Sequence, residues 1–441
     1  RSIGNYALAE ESIEDFLNNK GTESALYQPA VKEKSILQFI RKEVVRPDSV
    51  LYQVQKIKTS FETENTAYAP VSFNGTGVLL TGIQHDSLSA PGINPNHNRL
   101  FQALYTNEVL QNRELLSIDS LDASFNQGMA SGTADGNTLY FTQWKNDNGK
   151  TRSSIYYVQK KGSGWSRPTL VNLINKESSN SKQPFCSTDG KYLFFASDRP
   201  GGMGGFDIWY VLLQSGVVIG EPVNLGAAIN SKDNEQAPYY HDASNTLVFA
   251  SDRATGMGGY DLYTANGSEL KWNAPANMGY PVNSSRDDLY FFADQKGSLL
   301  ENAFITSDRG SECCLASYTV SKTPKRKMIK GLVQDCKDNL PIQGSVIIMK
   351  GADGKTVQAI TKEDGTYYFE VTGDVSAAQM LVSKEKYTDK TVNASIEGSN
   401  EKDWLVDTLY NTAICMDKRL EIKIENVVTL YFDFDQSKLS D

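Results

Sequence analysis

Histidine, paired cysteine, long apolar runs and excess positive charge are all scarce in this 441-residue chain. The three histidines (His85, His97 and His241) lie far apart, which argues against a dedicated zinc centre or a histidine-based triad. None of the five cysteines stands in a C-x-x-C pair, so thioredoxin-like redox chemistry and zinc ribbons have no support. No stretch approaches the ~18 uninterrupted apolar residues that a spanning helix needs. The formal net charge of −9 argues against a large electrostatic footprint for nucleic acid or anionic lipid. What remains is an ordinary globular composition, 39% apolar and 22% charged, with room for about three domains at ~150 residues each.

Residues 1–48 read as two short helices. Tyr6, Ala9, Ile13, Phe16 and Leu17 share one helical face, and Ile36, Leu37, Ile40 and Val44 share another. From residue 49 the period becomes that of strands and the chain repeats itself. Ser197-Asp198-Arg199 recurs as Ser251-Asp252-Arg253 and as Ser307-Asp308-Arg309, separated by 54 and 56 positions. Gly201-Gly202-Met203-Gly204-Gly205-Phe206-Asp207 matches Thr255-Gly256-Met257-Gly258-Gly259-Tyr260-Asp261, and the Asp189-Gly190 turn repeats Asp135-Gly136. A period near 50 built of short aromatic strands and tight turns predicts β-propeller blades. One unit predicts strands over 184–187, 192–197, 207–212 and 218–224. Five units fit between residues 51 and 321, with six blades as the alternative count. The orphan strand over 51–58 is expected to complete the last blade and close the ring. Residues 325–425 read as a separate β-sandwich of short strands with Asp-Gly turns at 353–354 and 364–365.

Chemistry is hard to find. The Gly201–Gly205 run joins strands rather than opening a helix, so a hairpin turn is favoured over a phosphate cradle. There is no G-x-S-x-G elbow to activate a serine. Arg199 with Asp207, and Arg253 with Asp261, recur eight residues apart and are expected to be structural ion pairs within each blade. The same reading makes Asp198, Asp252, Asp308 and Arg309 structural blade residues. No catalytic residue, cofactor site or metal ligand is assigned.

The turn, strand, SDR and GGxGGxD unit resembles the TolB-type, WD40-like propeller repeat. Lys330-Gly331-Leu332-Val333, Leu340-Pro341-Ile342 and Thr366-Tyr367-Tyr368-Phe369 resemble the carboxypeptidase regulatory-like (transthyretin-like) domain. Tyr431-Phe432-Asp433-Phe434-Asp435 resembles the opening strand of an OmpA-type peptidoglycan-binding domain. The order is similar to that of the PorE-type periplasmic proteins of Bacteroidota type IX secretion and gliding. This resemblance implies a TPR-like helical end at 1–48, a propeller at 49–324, the regulatory-like domain at 325–425 and a truncated OmpA-like start at 426–441. The chain, which opens at Arg1 without Met, is then expected to be part of a longer protein. The blade ending Gly310-Ser311-Glu312-Cys313-Cys314 departs from the GGxGGxD pattern.

The resemblance further implies a non-enzymatic scaffold at the outer membrane, facing the periplasm. Its implied partners are a PorP/SprF-type barrel or other secretion components, and peptidoglycan bound through the missing C-terminal domain. Rival readings are an accessory protein for one surface adhesin and a propeller-capped hydrolase. Cys336 and Cys415 bracket the regulatory-like domain and are expected to pair, with Cys313 or Cys314 as the alternative partner of either. Ser49, Ser87, Ser120 and Thr408 stand in Asp-Ser/Thr-apolar triplets that match the Bacteroidota O-glycosylation sequon.

Overall fold

The computed structural model describes residues 4–19, 22–61, 67–73, 77–85, 95–122, 124–147, 149–268, 271–310, 314–351, 354–371, 378–394, 396–398, 405–420, 427–430 and 434–435. The chain divides into two compact units, residues 1–323 and 324–441.

The first unit is mainly β and propeller-like. Five sheets follow one another, and their innermost strands are Ala67–Phe73, Asn126–Gly132, Ser181–Cys186, Glu235–His241 and Asp288–Ala293. Each innermost strand neighbours the next, and the fifth neighbours the first, so the ring is closed. The sheets are numbered blades one to five in that order. Blade three has the strand order the repeat predicts: Ser181–Cys186, Tyr192–Ser197, Asp207–Gln214 and Val217–Asn224. Strands wedged between neighbouring blades bury both faces and lose polar alternation. Thr246–Ser251 is buried at every position, and Leu247, Val248 and Phe249 are fully enclosed.

Closure runs through the N-terminal segment. Tyr52–Lys56 pairs antiparallel with Ala316–Lys322, Tyr52 facing Lys322 and Lys56 facing Tyr318. Blade five is thereby completed by residues from the far end of the ring, which leaves no open sheet edges there. The expected strand over 51–58 divides, because Lys58–Thr59 instead pairs parallel with Val109–Leu115 of blade one.

Helices α1 (Tyr6–Asn19) and α2 (Tyr27–Glu43) belong to this unit. Ile36 and Ile40 of α2 pack on Met257 in the glycine loop of blade four, and Lys32 Nζ donates to the Asp252 carbonyl. The second unit holds two sheets around one core. Ile329, Val333, Tyr367 and Phe369 come from one sheet and Ile347, Met349, Met380 and Val382 from the other. Residues 431–433, where an opening strand is expected, lie outside the described residues. The flanking residues 427–430 and 434–435 form no strand, and Val427 and Phe434 are exposed.

Candidate functional site

The recurring SDR residues form a buried plug in blades three, four and five. Arg199 is 6% exposed, its Nε donates to Ser197 Oγ at 3.0 Å, and its Nη2 reaches Ser181 Oγ and the Ile174 carbonyl. Arg253 repeats this with Ser251 Oγ, the Ile229 carbonyl and Glu235 Oε1 at 2.9 Å. Arg309 does so with Ser307 Oγ, the Val282 carbonyl and Asp288. The residue at the start of the innermost strand therefore sets the charge balance: Ser181 in blade three, Glu235 in blade four and Asp288 in blade five. Without a carboxylate beside it, Arg199 is pushed down to about 10 by burial. The expected Arg199–Asp207 and Arg253–Asp261 pairs are not formed, because the arginines turn toward the first strand of their own blade.

Asp207 and Asp261 fasten the glycine loops instead. Asp261 accepts from the Met257 and Gly258 backbone N–H groups and from Asn277 Nδ2, and Asp207 accepts from Met203 N–H and Asn224 Nδ2. A side chain at position 258 is impossible without backbone movement, since a Cβ there would lie 1.7 Å from the Arg286 carbonyl oxygen. Burial pushes the Asp261 carboxyl up to about 7. The SDR aspartates have a third task. Asp198 and Asp252 each hold the backbone and side-chain amides of Asn180 and Asn234, and Asp308 accepts from the Asp287 N–H. All eight blade residues thus spend their side chains on hydrogen bonds within the propeller-like unit.

The ring axis is different. Each innermost strand carries a bulge with a left-handed residue: Ala69, Met129, Gln183, Ala237 and Tyr290, with φ between 50° and 58°. Such φ values are costly for non-glycine residues. Here they turn a backbone N–H toward the preceding blade. Ala69 donates to Thr306 Oγ1, Met129 to Thr81 Oγ1, Gln183 to Thr142 Oγ1 and Ala237 to Gln183 Oε1, at 2.8 to 2.9 Å. This belt crosses the closure point as well, through Ala69 and Thr306.

On the SDR-loop side the axis opens into a cavity of about 380 Å³. Tyr68, Trp144, Phe206 and Tyr290 give it aromatic walls, and Asn180, Gln183 and Gln236 supply amides. Lys182 is its one charged lining residue among those described. The Lys182 Nζ sits 3.7 Å from the Phe206 ring centroid, and burial lowers its pKa to about 8 despite the opposing field of Asp198. Such a lysine is a pre-formed acceptor for an anionic group, because it gains a counter-charge in a poorly solvated setting. No periodic signal marks it, since the matching positions are Tyr68, Gly128, Gln236 and Leu289. No aspartate or glutamate lines this mouth among the described residues.

The remaining expected positions are dispersed. Cys336 and Cys415 are bridged within the second unit, so neither pairs with Cys313 or Cys314; Cys186 is free and buried. Ser120 is exposed, Ser49 and Thr408 are half-buried, and Ser87 lies outside the described residues. Asp48, in the Ser49 triplet, is buried against Arg46 at 2.8 Å. Among the described residues no cluster of three His, Cys, Asp or Glu is placed to hold a metal, and no helix is long and apolar enough to cross a membrane.

No family model and no curated protein matches the chain. Solved structures do. A family 117 glycoside hydrolase from Zobellia galactanivorans is similar at 10% identity, over 61% of this chain and 90% of that one, with a TM-score of 0.43. The catalytic domain of a Coprinopsis cinerea GH62 α-L-arabinofuranosidase is similar at 11% identity, over 62% of this chain and 96% of that one, with a TM-score of 0.41. A hydroxyquinol 1,2-dioxygenase from Pseudomonas putida is similar at 10% identity, over 22% of this chain, which spans 57% of that enzyme, with a TM-score of 0.18. The likeness is one of fold. It stands as a correction to the expectations of a non-enzymatic scaffold and of no enzymatic activity, since the two matches with the wider coverage are to glycoside hydrolases.

Proposed function

We propose that the ring is the substrate-binding part of a hydrolase, and that its axial mouth receives an acidic polymer segment. The observation that carries this reading is Lys182, a half-buried cation and the one charged residue described in a concave site of aromatic rings and amides. Aromatic faces suit the apolar faces of sugar rings, amides suit their hydroxyls, and the ammonium suits a carboxylate. Cleavage of a glycosidic bond by the common route needs two carboxylic groups. The cleaving groups are therefore assigned to a position outside the mouth, and the mouth to binding and orientation.

The test is calorimetric titration with short oligogalacturonates and with neutral oligosaccharides of equal length. The acidic sugars should bind more tightly, and Lys182→Met should weaken them about tenfold, ~1.4 kcal/mol. Affinity should fall as pH rises through about 8, when the unliganded ammonium loses its proton. Reducing-end release by the full-length protein reads the hydrolytic half of the proposal. Equal binding by Lys182→Met and the parent would overturn the site assignment.

The finer domain readings belong to the same proposal. The α1–α2 pair is read as a TPR-like end, the second unit as a carboxypeptidase regulatory-like sandwich, and the closing residues as the start of an OmpA-like domain, in PorE-type order. A periplasmic setting is supported by the Cys336–Cys415 disulfide, since such bonds persist in oxidising compartments. Partnership with an outer-membrane barrel is proposed from motif order alone, and co-purification from solubilised membranes tests it.

A further inference from the structure

A second cleft of about 330 Å³ lies between blades three and four, on the face of the ring opposite the SDR loops. Its floor is a continuous row of rings. Tyr210, Tyr192, Phe194, Tyr240 and Trp272 follow one another with centroids 5.6 to 5.9 Å apart, the Tyr192–Tyr210 and Tyr240–Trp272 pairs standing edge to face. At the matching place between blades two and three the space is closed by Cys186, Leu213 and Val218, which pack beside Tyr140. The opening between blades three and four thus has no counterpart between blades two and three among the described residues.

The rim is acidic and fixed in place. Asp189 is held by its own turn through Ser187 Oγ and the Lys191 N–H, and Lys191 Nζ lies 3.1 Å from its Oδ2. Asp242 ties the two blades by accepting from the Thr188 backbone N–H at 2.8 Å and from the Thr188 hydroxyl. Both of those bonds end on Oδ2. Its Oδ1 has no hydrogen bond and its carboxylate no cationic partner among the described residues. The fields of Asp242 and Asp189 both reach the Tyr240 phenol, which burial and these charges push up to about 12. Two carboxylates against one ammonium leave the cleft with a negative excess over aromatic faces, a combination that favours organic cations. One further group points to what carries the cation. The indole N–H of Trp272 is buried and has no acceptor among the described residues, so an entering carbonyl would satisfy it.

We propose that this cleft binds a peptide through a lysine or arginine side chain, with the cation over the Tyr240 and Phe194 rings beside Asp242 and a peptide carbonyl on the Trp272 indole. The ring then carries two faces of opposite preference: an axial mouth for acidic groups and an inter-blade cleft for basic ones. The two sites share no residue, so this proposal does not rest on the function assigned to the mouth.

The experiment titrates the full chain with short arginine-containing peptides and with the same peptides carrying norleucine instead, read by tryptophan fluorescence and calorimetry. The arginine peptides should bind at least tenfold more tightly. Asp242→Asn should remove most of that difference while keeping an acceptor for Thr188. Trp272→Phe should weaken both peptides while leaving their ratio unchanged. Free arginine amide and tetramethylammonium serve as carrier-free cations; binding as tight as the peptides' would show that the peptide backbone plays no part and would overturn that half of the proposal. Equal affinity for arginine and norleucine peptides, or an Asp242→Asn protein that still discriminates, would overturn the rest. Retained oligogalacturonate binding by Asp242→Asn separates this outcome from failure of the axial site.

Discussion

Replacing Arg253 with methionine should be far more damaging than the same change at Arg199, although the two arginines occupy equivalent places in adjacent blades. Methionine retains much of the apolar contact with the rings that flank each guanidinium, Phe249 and Tyr263 in blade four and Phe195 and Trp209 in blade three. The difference lies in what is left behind. At Arg199 the abandoned partners are two hydroxyls and a carbonyl, all neutral, which sets the loss at about 1–2 kcal/mol. At Arg253 the abandoned partner is the fully buried Glu235. Ser231 and Ser251 still donate to that carboxylate, but no counter-charge remains, and stranding a buried charge costs about 3–5 kcal/mol. In a unit of this size ~4 kcal/mol corresponds to about 6 °C in Tm. Urea unfolding of the single variants and of the Arg253→Met/Glu235→Gln double variant measures the contrast. The double variant should recover more than half of the loss. If Arg199→Met and Arg253→Met lose equal stability, or Glu235→Gln gives no recovery, the charge argument is wrong and the plug works by packing alone.

Three other outcomes follow from the same geometry. Asp261 has a folded pKa near 7 against 3.8 for an ordinary aspartate, so the folded state holds its proton more tightly and its contribution to stability is lost as pH rises from about 4 to 7; Asp261→Asn should therefore gain on the parent over that window in parallel melts, and a constant difference would refute the shift. Thr306→Val leaves the buried Ala69 N–H without its acceptor and should cost about 1–3 kcal/mol by denaturant titration, whereas an unchanged midpoint would show that the axial belt carries no load. Reducing Cys336–Cys415, which spans 79 residues, should destabilise the second unit by about 4 kcal/mol and leave the first unchanged, as hydrogen exchange with and without reductant can establish.

The ring was legible because a turn, a strand and a charged triplet recur together, and because an unpaired strand at each end of the repeat requires a partner. The arginine partners were not. Spacing along the chain favoured the aspartates eight residues downstream, whereas the strand order places Glu235 and Asp288 beside arginines 18 and 21 residues later. Backbone topology, not local proximity, chooses the pair. The axial mouth and the inter-blade cleft were invisible for the opposite reason. The mouth depends on Lys182, which breaks the repeat, and the cleft on Tyr240, which stands where the preceding blade has Cys186; a search for recurrence passes over such positions.

The strand pair that seals blade five has a mechanical meaning. Because Tyr52–Lys56 and Ala316–Lys322 are antiparallel, the points where the chain enters and leaves the ring, Tyr52 and Lys322, lie directly opposite one another. A pull applied between the two ends of the ring would load this pair at one end and part its hydrogen bonds one at a time, as a zipper opens, rather than shearing them all together. The other four blades would carry none of that tension. Once the helical pair is drawn off Met257, the seal is the first element to yield, and blades one and five are then held together by the Ala69–Thr306 hydrogen bond and the ring contacts Tyr68–Tyr290 and Tyr105–Phe304.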